Sequence, residues 1–325
     1  VDRKRFLLLA LAPVPIVAGS IALSNLARSE RAAPLASNDV MEPATVGEVQ
    51  LVGYLAPETA SVKLSADCAA RGRQIGEQLG DKCAVFVQAP FVIAGDMSQK
   101  DLHAWYDETI HPAAVAMGHR YFKTKPSQPI TVLLFSGKES YEHYAEKLFK
   151  DRGISIYGYY KPRERTLVMN IGTGGGTLVH ELTHALVAFD CPDVPDWFNE
   201  GLASLHEQCR FREDERGPWV EGLVNWRLPR LQKELEAQRV PSLADFIRDD
   251  DFRGEREAVN YAQARYFCLF MQRRGVLETY YAALKKNIKD DPHGVAAIKA
   301  AFPNLSWKEL DAEYRQFVRE LKPPR

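Results

Sequence analysis

The stretch GTGGGTLVHELTHALVAFD, residues 172–190, places the tightest constraint on what this 325-residue chain can fold into. His180 and His184 are four residues apart, so on an α-helix their imidazoles lie on one face, one turn apart. Two ring nitrogens so placed can hold one Zn2+ at about 2.0–2.1 Å each. Glu181 is one position along and projects beside the metal rather than onto it, where it can take a proton from water. Leu178, Leu182, Ala185, Leu186 and Phe189 give the helix an apolar back to bury. Thr177, after three glycines, is the expected N-cap. The competing reading is an ordinary buried helix whose histidines only hydrogen-bond in a core.

A catalytic zinc takes three protein ligands and keeps a fourth position open. Glu200, sixteen residues after His184 in PDWFNEGLASLHE, is the expected third ligand. Pro195 and Asp196 read as a helix start, with Asp196 as N-cap and Glu200 in the first turns. Gly201 and Ala203 are small enough to let this helix approach the HELTH helix closely. His206 competes as third ligand, and Asp193 is a weaker rival. Six residues turn a helix through about 600°, so Glu200 and His206 cannot both face one metal, and Glu200 is preferred. Without a metal, Glu200 would be a helix-start acid favoured by the helix dipole.

HELTH followed by WFNEGLAS resembles the gluzincin metallopeptidases, the peptidase MA-like group related to thermolysin and the zinc aminopeptidases. The resemblance spans roughly residues 84–285, in motif order rather than close identity. It implies a zincin-like fold with His180, His184 and Glu200 as zinc ligands and Glu181 as general base, and Asn199 fits its NE pattern. It also implies a tyrosine in a later helix that donates to the developing oxyanion; Tyr261 in NYAQARYF holds the similar position, with Tyr266 as rival. The hairpin ending in RTLVMNI resembles the cleft-lining edge strand of this group, whose backbone can hold an extended peptide. IGTGGG stands where aminopeptidases carry a GxMEN-type motif, which argues against recognition of a free substrate amine. No histidine matches the oxyanion donor of thermolysin, and His293 in DDPHG receives no role.

The function so implied is a zinc-dependent metallopeptidase with a peptide or protein substrate. The alternatives are a non-catalytic zinc-binding scaffold of the same fold, or an exported amide hydrolase acting on cell-wall peptides. A purely structural zinc site has no use for a base at Glu181, which weighs against the scaffold. A formal net charge of −1 gives no basic field for nucleic acid.

The remaining organisation follows from composition shifts. DRKR (2–5) before the uncharged FLLLALAPVPIVAGSIAL (6–23) reads as a signal peptide or N-terminal anchor over residues 1–24. The expected location is therefore periplasmic or extracellular, either free or tethered to a membrane through residues 6–23. Residues 25–66 read as a linker, 67–171 as an α/β lobe and 172–325 as a helical lobe. The predicted class is α+β, a mixed α/β lobe with a β-hairpin edge followed by a mainly helical lobe, with zinc at the seam.

Within this plan CAVFVQAPFVIAG (83–95) is β-rich and broken at Pro90, and ITVLLF (130–135) reads as a buried strand. A helix is predicted from an N-cap at Ser98 to Gly118, and an amphipathic one ends at Gly153. A hairpin is predicted over 154–160 and 165–171, with KPRER as its solvated tip. Later helices are predicted over 223–239, 260–275 and 306–321, the last opened by a capping box of Ser306 and Glu309. FREDER (211–216) reads as a surface loop. The five cysteines form no CxxC pair; Cys68–Cys83 and Cys191–Cys209 are candidate disulfides in an exported protein, against five reduced thiols.

Overall fold

The three strands that carry unbroken apolar runs form the middle of a five-stranded sheet of order β1-β2-β3-β5-β4. The computed structural model describes residues 61–324, so the expected signal or anchor (1–24) and most of the expected linker lie outside the described residues. β1 (Ala84–Gln88) and β2 (Phe91–Gly95) are the antiparallel arms of the run broken at Pro90. β2 runs parallel to β3 (Ile130–Phe135), and β3 parallel to β5 (Thr166–Asn170). β4 (Gly158–Lys161) closes one edge, antiparallel to β5. The class is α+β, as the sequence predicts.

Strand alternation sorts the side chains into two layers. Ala94, Leu133, Phe135 and Val168 meet Ile75 and Leu79 of α1 (Ser61–Leu79) and Tyr141, Tyr144 and Ala145 of α4 (Lys138–Phe149). Phe91, Ile93, Val132, Leu134, Leu167 and Met169 join the larger core on the other face. That core also takes Leu102 of α2 (Gln99–Trp105), Ile110 from the π-helical turn that follows, Met117 of α3 (His111–Arg120), and α5 (Gly176–Asp190). Burial on both faces explains why these strands read as continuous apolar runs.

The same core continues into the helices after α5. α6 (Asp196–Glu207) packs against α5 on one side and α9 (Glu257–Arg273) on the other. α7 (Leu228–Glu236), α8 (Leu243–Ile247), α10 (Leu277–Asn287), α11 (Val295–Ala301) and α12 (Trp307–Glu320) complete it. The capping box of α12 is present: Ser306 Oγ accepts the Glu309 N–H and Glu309 accepts the Ser306 N–H. No helix among the described residues is long and apolar enough to cross a membrane.

Several expectations need correction. α1 begins at Ser61, inside the stretch read as linker, because Leu64, Cys68, Ile75 and Leu79 form one buried face against the sheet. α4 ends with Lys150 in the left-handed region (φ 61°), three residues before Gly153, the expected terminator. Only the last two residues of FREDER, Glu215 and Arg216, form a turn; the rest is strand, since β6 (Cys209–Asp214) pairs antiparallel with β7 (Gly217–Gly222). Its strand character was hidden because β6 is exposed at most positions and polar to match. Arg120 at the end of α3 clasps the hairpin, donating to Gly217 O (2.9 Å), Pro218 O (3.2 Å) and Asp214 (2.5 Å). Neither candidate disulfide is formed; all five cysteines are free, and burial pushes the Cys68 thiol up to about 11.

Candidate metal centre

α5 carries the HELTH run as a continuous helix, with Leu178, Leu182, Ala185 and Leu186 buried and His180, Glu181 and His184 half-buried along one flank. Its N-cap is Gly175 rather than Thr177, which lies within the first turn. Gly176 explains the glycines: a Cβ there would sit 2.4 Å from the backbone oxygen of Glu207 at the end of α6. The close approach of α5 and α6 therefore falls at Gly176, whereas Gly201 faces α9, its added Cβ 2.9 Å from Ala264 O and Cys268 Sγ. α6 is capped by Pro195, and Asp196 is its first residue.

The packing of α6 on α5 brings Glu200 to the two histidines. The Nε2 atoms of His180 and His184 are 3.1 Å apart, and Glu200 Oε2 is 3.5 Å from each. A tetrahedral zinc with bonds of about 2.05 Å holds its ligand atoms about 3.3 Å apart, so the three edges match its coordination triangle. Glu200 is only 3% exposed, and its Oε2 has no hydrogen-bond donor. A buried carboxylate oxygen left without a donor is costly unless a cation meets it. Among the described residues this is the one group of three His, Cys, Asp or Glu side chains whose ligand atoms converge.

The electrostatics point the same way. Burial opposes an imidazolium at His184, yet the charge of Glu200 outweighs it and pushes the group up to about 9. Burial likewise favours a neutral Glu200, but His184 and His180 hold its carboxyl well below the usual range. The carboxylate of Glu200 therefore favours positive charge at His184.

Neighbouring groups orient the triangle. Asn199 Oδ1 lies 2.9 Å from His184 Nδ1, so Nδ1–H donates and the Nε2 lone pair faces inward. Glu181 lies between the two histidines in sequence, on the helix that packs against edge strand β4. Burial pushes the Glu181 carboxyl up against the opposing charges of His180 and His184.

Tyr261, half-buried on α9, accepts a hydrogen bond from Arg253 Nη1 (2.7 Å), while Arg253 Nη2 donates to Glu200 Oε1 (2.5 Å). The rival Tyr266 is fully buried and bonded to Asn225, so it lines the core. His206 is fully buried with its Nδ1 3.1 Å from Thr183 Oγ1, behind the HELTH face, and burial pulls it down to about 3. Asp193 is exposed and outside the cluster, and the carbonyl of His293 accepts the Trp197 indole N–H (3.1 Å). Arg253 escaped the sequence reading because it stands in the charged run DDDFRGERE between α8 and α9, which has no helical or strand period. Compared with models of known protein families and with curated proteins, the chain finds no match in either.

Proposed function

We propose that this protein is a zinc-dependent metallopeptidase of gluzincin type with a zincin-like fold. The observation that carries the reading is the triangle of His180, His184 and Glu200, with Glu181 beside it on the same helix. The sheet supports it as well: among the described residues β4 is an edge strand next to α5, the position at which an extended peptide would add as a further strand. The expected N-terminal signal would place the substrate outside the cytoplasm.

In this reading His180, His184 and Glu200 hold Zn2+, which when bound supplies a Lewis acid for a substrate carbonyl and for water. Glu181 takes a proton from the attacking water as its oxygen bonds to the carbonyl carbon. As the C–N bond breaks, Glu181 passes that proton to the leaving amine. The Tyr261 hydroxyl donates to the oxygen that gains charge.

Glu181→Gln tests this directly. Zinc content by elemental analysis should stay at the wild-type level, while hydrolysis of a peptide library should fall at least about 100-fold. Hydrolysis near the wild-type rate in this variant would remove the assignment, and so would insensitivity of the wild type to chelator.

A further inference from the structure

We infer that Arg253 is a positioning residue that locks the metal-facing carboxylate of Glu200 and the hydroxyl of Tyr261 into one unit. The Tyr261 half of this inference rests on the peptidase reading; the Glu200 half needs only a bound cation. Arg253 reaches the site from the segment between α8 and α9, and its side chain is 33% exposed.

A guanidinium is donor-only and planar, so each contact fixes a direction. Nη2 donates to Glu200 Oε1 at 2.5 Å, and the oxygen left facing the imidazoles is Oε2, the one without a donor. Arg253 thus selects which carboxylate oxygen is offered to the histidines. Nη1 meets the Tyr261 oxygen at 2.7 Å. Since Arg253 cannot accept, the phenol must direct its own hydrogen elsewhere, and it is left free to donate. The ring of Tyr261 is held in turn by Phe252, at 5.1 Å between centroids. One side chain therefore sets a ligand atom and a donor atom that are 61 positions apart in sequence.

Charge and positioning make opposite predictions for metal binding. Acting through charge alone, a guanidinium repels a cation, and removing it would tighten zinc. Acting by holding the carboxylate, its removal loosens zinc, by about 10–100-fold for partners of this kind.

The experiment measures zinc affinity by competition with a chromophoric chelator for wild type, Arg253→Met and Arg253→Lys, with circular dichroism as the folding check. Arg253→Met should bind zinc at least about tenfold more weakly. Arg253→Lys, which keeps the charge and one donor, should recover part of the loss. On a cleaved peptide, Arg253→Met should lower kcat with little change in KM, and Tyr261→Phe should add no further loss in that background. Unchanged or tighter zinc binding in Arg253→Met overturns the inference, as does full additivity with Tyr261→Phe. Wild-type protein that binds zinc but cleaves no peptide overturns the peptidase reading alone, and the affinities still judge Arg253. Wild-type protein that binds no zinc overturns both.

Discussion

Asn199 Oδ1 accepts from His184 Nδ1 at 2.9 Å, which makes the residue beside Glu200 the group that orients a histidine on a different helix. Replacing Asn199 with Ala leaves that imidazole free to rotate and to change tautomer. Zinc affinity should drop about tenfold with the fold intact. Equal affinity in wild type and variant, read by chelator competition, would show that the hydrogen bond does not orient His184.

Metal should also stabilise the whole chain, since the three converging side chains come from α5 and α6 and only the folded protein holds them together. Zinc at a hundredfold excess over its Kd adds about 2.7 kcal/mol. For a chain of this size, chelation should lower the melting temperature by roughly 5–10 °C, reversed by added zinc. A melting curve indifferent to both treatments would count against a metal at this site.

Gly176 is needed for space. A methyl there meets the Glu207 carbonyl at 2.4 Å, and backbone cannot swing aside as a side chain can. Gly176→Ala should therefore cost about 1–3 kcal/mol and weaken zinc binding by shifting α5 against α6. Gly76→Ala, inside α1 with only the Val85 side chain near at 3.5 Å, serves as a control that should lose no stability. Similar denaturation midpoints for the two variants would refute the steric argument.

Asp190 ends α5 with a buried carboxylate bonded to Lys285 (2.7 Å), Tyr281 (2.7 Å) and the Thr124 N–H (2.6 Å). Burial raises its pKa, but these bonds outweigh that and hold the carboxyl below its ordinary value. A depressed folded-state pKa gives stability that is present above the unfolded value of about 3.9 and lost as pH falls through the folded one. Asp190→Asn should therefore cost about 1.5–3 kcal/mol at pH 7 and much less near pH 3. A stability loss that stays constant between pH 7 and pH 3 would exclude the linkage.

Much of the site was legible in the chain because its parts obey local geometry. A four-residue spacing puts His180 and His184 on one helical face whatever surrounds them, and burial of Leu178, Leu182 and Ala185 sets which face turns inward. The same holds for the β3 run, the β4–β5 hairpin and the Ser306–Glu309 capping box. Local pattern misled where polarity hid the structure, as in β6, and where a glycine did not mark the end, as at Lys150.

Helical spacing alone names the side chains able to form a metal triangle and rules out Glu200 and His206 joining it together. That Glu200 faces the histidines while His206 lies behind them against Thr183 comes from the packing of α6 on α5. Helix packing likewise links Tyr261, and not Tyr266, to Glu200 through Arg253. Periodicity fixes directions within one element, whereas contacts between residues 53 positions apart, such as Glu200 and Arg253, depend on how whole helices pack.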